Sequence, residues 1–239
     1  MPDIRKHRGA HPEDRKLFAD DQLPALRTAV RELSWLLSRD YSIKGALKLV
    51  GDRYALTDRQ RLAVSRAACS DQSKEHRAAT HLPVDAMAGK EIIIDGFNLI
   101  ITIEAALSGG ILIHGRDGCI RDLSSVHGSY RSVNETDQAI SLIGTALEDL
   151  RPKSVAWLLD RPISNSGRLA KRIRDLATET AWNWTVEVLF NPDAEIIASG
   201  HLVVSSDSHV LDETDRWINL TRNLLDHRLK KFWLIDLSG

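Results

Sequence analysis

At 239 residues, 43% of them hydrophobic and 27% charged, the chain has enough apolar surface for a sizeable core in one or two domains, which excludes a disordered polymer. No apolar run reaches the ~18–20 residues that span a bilayer, and the first ten residues, with Arg5, Lys6, His7 and Arg8, lack the apolar centre of a secretion signal, so a cytoplasmic protein without a membrane partner is expected. The formal net charge of -1 hides a gradient, basic over residues 1–80 and acidic thereafter. Such a division suits a nucleic-acid grip joined to a metal-binding site, although ordinary solvated helix faces explain it equally well. Cys69 and Cys119 stand far apart in the chain and outside any CxxC or Cys/His cluster, so they read as reduced thiols in or near the core rather than as a disulfide or zinc framework.

Residues 1–80 read as a small all-helical domain. Leu26, Val30, Leu33, Leu36 and Leu37 recur at three- and four-residue spacing, which predicts an amphipathic helix from Pro24 to Arg39. Thr57 and Gln60 have the spacing of a capping box ahead of Leu62, Val64, Ala67 and Ala68, which predicts a second helix. Residues 81–90, with Pro83 and Gly89, read as the linker.

From residue 91 to 239 the pattern is that of an α/β domain. Ile92-Ile93-Ile94-Asp95 is a short apolar run ending in an acid, the mark of a strand buried on both faces of a parallel sheet. Similar runs end at Asp160, Leu189, Val204 and Asp236, and helical stretches alternate with them: 97–107, 135–150, 166–178, 193–199 and 215–227. Five strands interleaved with helices predict a three-layer domain around a mainly parallel five-stranded sheet. The glycine-rich stretch 108–133 interrupts the alternation and reads as an inserted hairpin or long loop.

Ligands of open parallel sheets gather beyond the carboxyl ends of the strands. Asp95 and Asp160 close predicted strands, Asp207 follows Ser205-Ser206 after another, and Asp193 opens a short helix. Four carboxylates brought to one edge repel one another unless a divalent cation neutralises them, and Mg²⁺ or Mn²⁺ suits an all-oxygen site able to hydrolyse phosphodiesters. Arg161 directly follows an acid of this set and is a candidate phosphate contact. Arg116, Arg121, His127 and Tyr130 of the insertion form a dense polar group in which arginines could hold a phosphate backbone and the aromatic ring could stack a base. Glu104 reads as a surface or cap residue on the first helix of the domain. The absence of GxxxxGK[ST], of GxGxxG after the first strand and of GxSxG excludes the common nucleotide-binding and serine-hydrolase devices, and Phe97 stands where a haloacid dehalogenase needs a second aspartate.

The run Ile94-Asp95-Gly96-Phe97-Asn98 resembles the opening strand and turn of the PIN-like nucleases, in particular the NYN branch. The same order of motifs continues through the strand ending in Asp160, the segment Pro192-Asp193-Ala194-Glu195-Ile196-Ile197 and the strand end Val203-Val204-Ser205-Ser206-Asp207. This resemblance covers residues 91–239 and implies that Asp95, Asp160, Asp193 and Asp207 form a metal-binding acidic cluster, with Asp95, Asp160 and Asp207 catalytic. It also implies that Asn98 orients Asp95 or a phosphate, that Ser206 does the same beside Asp207, and that RNA rather than DNA is the substrate. Asp212, Glu213 and Asp215 compete for the place of the last acid. The whole chain, including Lys48–Tyr54 and Ser164–Leu169, is also similar to the uncharacterised family called domain of unknown function 434. The expected activity is therefore that of a metal-dependent ribonuclease, with a non-catalytic nucleic-acid-binding or scaffold protein of the same fold as the alternative.

Overall fold

The computed structural model describes residues 7–124 and 130–239. Five helices come first: α1 (Asp14–Leu17), α2 (Leu23–Leu37), α3 (Ile43–Arg53), α4 (Asp58–Ala67) and α5 (Asp71–Thr80). The predicted stripe is the buried face of α2, where Leu26, Val30, Leu33 and Leu36 all lie inside. The capping box opens α4: the Gln60 amide donates to Thr57 Oγ1 at 3.3 Å and the Thr57 amide to Gln60 Oε1 at 3.1 Å. Ser42 and Ser70 cap α3 and α5, two further helices of this part. The linker holds a short 3₁₀ turn, Val84–Met87.

The α/β part follows in the order β1 (Glu91–Asp95), α6 (Gly96–Leu107), β2 (Ile111–His114), β3 (Ile120–Asp122), α7 (Thr136–Leu150), β4 (Ser154–Asp160), α8 (Ser166–Thr180) and β5 (Trp184–Leu189). It continues with α9 (Pro192–Ala198), β6 (Leu202–Val204), α10 (Ser208–Glu213), β7 (Trp217–Ile218), α11 (Leu220–Arg228) and β8 (Trp233–Asp236). The main sheet has the order β5-β4-β1-β6-β7, and every pairing in it is parallel. Ile92 and Ile94 point into a core shared with α6, α7 and α8, whereas Ile93 joins Leu158 and Val203 against Ile196 of α9 and Val210 and Leu211 of α10. The strand is thus buried on both faces, and the three-layer arrangement follows.

Two elements depart from the sequence expectation. The apolar run at Trp233–Asp236 is not the fifth strand of the main sheet: β8 pairs in parallel with β2, which pairs antiparallel with β3, in a second sheet of order β3-β2-β8. The edge place beside β6 is taken by the two-residue strand β7, so the predicted helix 215–227 begins only at Leu220. The described part of the insertion holds a hairpin, β2–β3, and its sheet is a buried partition. Ile111, Ile113 and Ile235 face Leu26, Leu33, Val64 and Ala67 of the N-terminal helices. On the other side Leu112 and Ile120 pack against Ala105 and Ala106 of α6 and Leu225 of α11. Covered by sheets and helices all round, α6 is apolar on nearly every side. Among the described residues no helix is long and apolar enough to cross a membrane.

Candidate active site

From β1 the chain moves outward to β4 and β5, then crosses back to β6 on the other flank of β1. Strand order reverses at β1, so the crevice beyond its carboxyl end is the expected ligand position. Parallel register brings the predicted acids to that crevice. Asp95 ends β1 opposite Leu158, while β4 runs on until Asp160 lies opposite Leu189 of β5. Val204, level with Ile94, leads through Ser205 and Ser206 to Asp207. Asp193 stands in the first turn of α9, which Asn191 caps by accepting from the Ala194 amide.

Asp95 is both the last residue of β1 and the N-cap of α6, where Oδ1 accepts the Asn98 amide at 3.4 Å. The next position must be glycine: a Cβ on Gly96 would lie 2.6 Å from Leu159 Cδ2 and 3.0 Å from the Leu158 carbonyl oxygen. The close approach that the glycine permits is therefore to β4. Ser205 Oγ donates to Asp95 Oδ2 at 2.8 Å and accepts the Asp207 amide at 2.9 Å, linking the two strand ends. Asn98 Oδ1 accepts both the amide and the hydroxyl of Ser206, at 2.9 and 2.8 Å, so Asn98 ties the first turn of α6 to the loop before α10. Its Nδ2 has no hydrogen-bond partner among the described residues. Asp207 in turn caps α10, with Oδ1 accepting from His209 and Val210.

The four acids share one electrostatic environment. Burial pushes the Asp95 carboxyl up to about 7, and the charges of Asp207, Asp193 and Asp160 add to the rise against the opposing bond from Ser205. Asp160 is raised by burial and by Asp193 and Asp207; Asp193 is raised by burial and by Asp207, with His209 opposing. Among the described residues no lysine or arginine is ion-paired with any of them, nor are three or more His, Cys, Asp or Glu side chains arranged so as to hold a metal ion. Asp212 is drawn away: it pairs with Arg77 of α5 at 2.8 Å.

The described members of the polar group predicted in the insertion do not form a substrate-facing surface. Tyr130 is fully buried, its hydroxyl donating to Glu104 Oε1 at 2.7 Å and its ring packed beside Phe97. Glu104, expected at the surface, is equally buried, accepting also from Arg8 and from Thr136. Arg121 is only 4% exposed. Its guanidinium binds both carboxylate oxygens of Asp117 and, at 2.7 Å, the Ser206 carbonyl oxygen, so it buttresses the site from behind and cannot reach a substrate. Arg116 is half-buried and pairs with Asp71 at 2.6 Å while donating to the Cys69 carbonyl oxygen. His127 lies outside the described residues. Ser206 is buried beneath Asn98, whereas Arg161 is exposed and lies over the ring of Phe190, 4.6 Å from its centroid.

Residues 84–223 match the family model described as Domain of unknown function (DUF5616), and residues 25–79 match Protein of unknown function (DUF434). The first match spans more than half of the chain, which therefore belongs to that family. The similarity to family 434 expected of the whole chain is found over the N-terminal helices. An uncharacterised protein of Methanocaldococcus jannaschii is 31% identical over 187 residues, covering 78% of this chain and 89% of its own length. No solved structure matches the chain.

Proposed function

We propose that the protein is a metal-dependent phosphodiesterase of the PIN-like type that cleaves RNA in the cytoplasm. The observation carrying this reading is the convergence of Asp95, Asp160, Asp193 and Asp207 at the point of strand reversal, where burial and their mutual charge raise the proton affinity of Asp95. An all-oxygen donor set without a paired cation has the chemistry of a site for Mg²⁺ or Mn²⁺, which these four side chains would hold. When bound, such a cation supplies an activated water and a Lewis acid for the phosphate. The chain's own residues supply the rest. Ser205 fixes the Asp95 carboxyl, Asn98 holds Ser206 in place and keeps Nδ2 available to a phosphate oxygen, and Arg161 offers an unpaired guanidinium at the rim. The choice of RNA over DNA rests on the motif resemblance alone.

In a panel of single-stranded RNA and DNA, cleavage is expected with Mn²⁺, to stop with a chelator, and to fall by about 100-fold or more in Asp95→Asn, in keeping with several kcal/mol of transition-state stabilisation. Circular dichroism should show the variant folded. One observation favours the alternative of a non-catalytic binding module: among the described residues no three ligating side chains form a metal-holding group. Binding that survives both chelator and substitution, with no cleavage under any metal, selects that alternative.

A further inference from the structure

The aromatic platform that the sequence places on Tyr130 is buried, yet an open aromatic face stands elsewhere on the same edge of the sheet. Phe190 is 72% exposed, the most exposed of the large hydrophobic side chains among the described residues. Its position follows from register: Asp160 and Leu189 are the last paired residues of β4 and β5, so Arg161 and Phe190 leave the sheet side by side. The Arg161 amide donates to the Leu189 carbonyl oxygen at 2.6 Å, which fixes the two backbones together as they turn away. The guanidinium covers one side of the ring at 4.6 Å from its centroid and has no hydrogen bond or ion pair among the described residues. Both residues border the acids, Arg161 directly after Asp160 and Phe190 three positions before Asp193.

Exposing a phenyl ring to water at this level is unfavourable, and an arginine that leaves its donors free is the partner a phosphate recognises. A planar ring next to a free guanidinium fits a nucleotide whose base is unstacked, because a base inside a duplex already has both faces covered. We propose that Phe190 and Arg161 form a binding site for single-stranded nucleic acid: one unpaired base stacks on Phe190, Arg161 holds the adjoining backbone phosphate, and the neighbouring phosphate is directed towards the carboxylates. This inference rests on the phosphodiesterase reading for the direction of the strand, and the stacking itself can be tested apart from cleavage.

The full chain is titrated, in chelating buffer, into fluorescein-labelled oligouridine, a duplex of the same length and an abasic strand, and binding is followed by anisotropy. Phe190→Ala should weaken oligouridine binding roughly tenfold or more, Phe190→Trp should restore it, and the abasic strand should bind the unaltered protein no better than oligouridine binds Phe190→Ala. Phe190 is exposed, so these variants are expected to fold. Equal oligouridine affinity in the unaltered protein and Phe190→Ala, an equal loss on the abasic strand, or no binding of oligouridine at all overturns the platform. Binding that depends on Phe190 without any cleavage in Mn²⁺ supports the platform and removes the phosphodiesterase reading. Cleavage that ignores both Phe190 and the presence of bases does the reverse.

Discussion

Two groups of buried charge lie on either side of Ser206, and they are built on opposite principles. At the strand ends, Asp95 is enclosed among three other aspartates, and its proton affinity rises. Behind the loop, Asp117 is just as enclosed and burial pushes it the same way, yet Arg121 and Arg77 hold it well below the usual carboxylate range. Burial is common to both; the difference is the supply of cations. The second group is complete within the chain and acts as a clamp between α5, the β2–β3 turn and the start of α10. The first has no ion-paired lysine or arginine among the described residues, which is why it is proposed as the site.

The clamp should be the costlier to break. Asp117→Ala leaves two buried guanidiniums without their shared partner and is expected to destabilise the fold by about 3–5 kcal/mol, read as a fall in the urea midpoint. A loss below about 1 kcal/mol would show that water repairs the gap.

The acids predict a pH effect of opposite sign. With divalent cations chelated, Asp95 titrates near 7 in the folded chain against 3.8 in the unfolded one. Its contribution to stability is thus full below the unfolded value and lost as pH rises through the folded one, in total on the order of 4 kcal/mol. Asp95→Asn removes that loss, so at about pH 8 the variant should be the more stable form in chelating buffer while being the less active form with Mn²⁺. Identical pH profiles for the two proteins would disprove the electrostatic coupling. Asp117 behaves inversely, its contribution being present above the unfolded carboxylate range and lost only as pH falls below it.

The smallest effect sharpens the comparison most finely. Ser205 Oγ is the one side-chain donor to Asp95 among the described residues. Ser205→Ala should cost about 1 kcal/mol where the carboxylate is ionised and move the Asp95 titration, followed by NMR, to higher pH. A titration that stays in place would show that the hydroxyl does not bear on the charge.

What could be read from the residues alone follows the range of the interactions involved. The stripe of α2, the capping box of α4 and the apolar strand β1 are decided within a few positions, and they form as predicted. The role of Asp95 and Asp160 as a site is the proposal; that they lie at one edge was legible because a parallel sheet sends every strand end there. Ser205 was not, since its place beside Asp95 depends on the register of β6 against β1. Nor could the burial of Tyr130 and Glu104 be foreseen: Arg8, which reaches Glu104 and passes over the Tyr130 ring, is supplied from the far N-terminal stretch. The sheet to which β8 belongs was equally hidden, because a short apolar strand fits any buried sheet and only the two-residue β7 settles which edge is free.

The partition sheet imposes an order on synthesis. Leu26, Leu33 and Val64 emerge from the ribosome early, but the surface they pack against includes Ile111 and Ile113, and finally Ile235 and Leu237. The apolar flanks of these helices are therefore sealed only once β8 and Leu237 are in place. Loss of Ile235 and Leu237 would uncover helices that lie far from them in sequence.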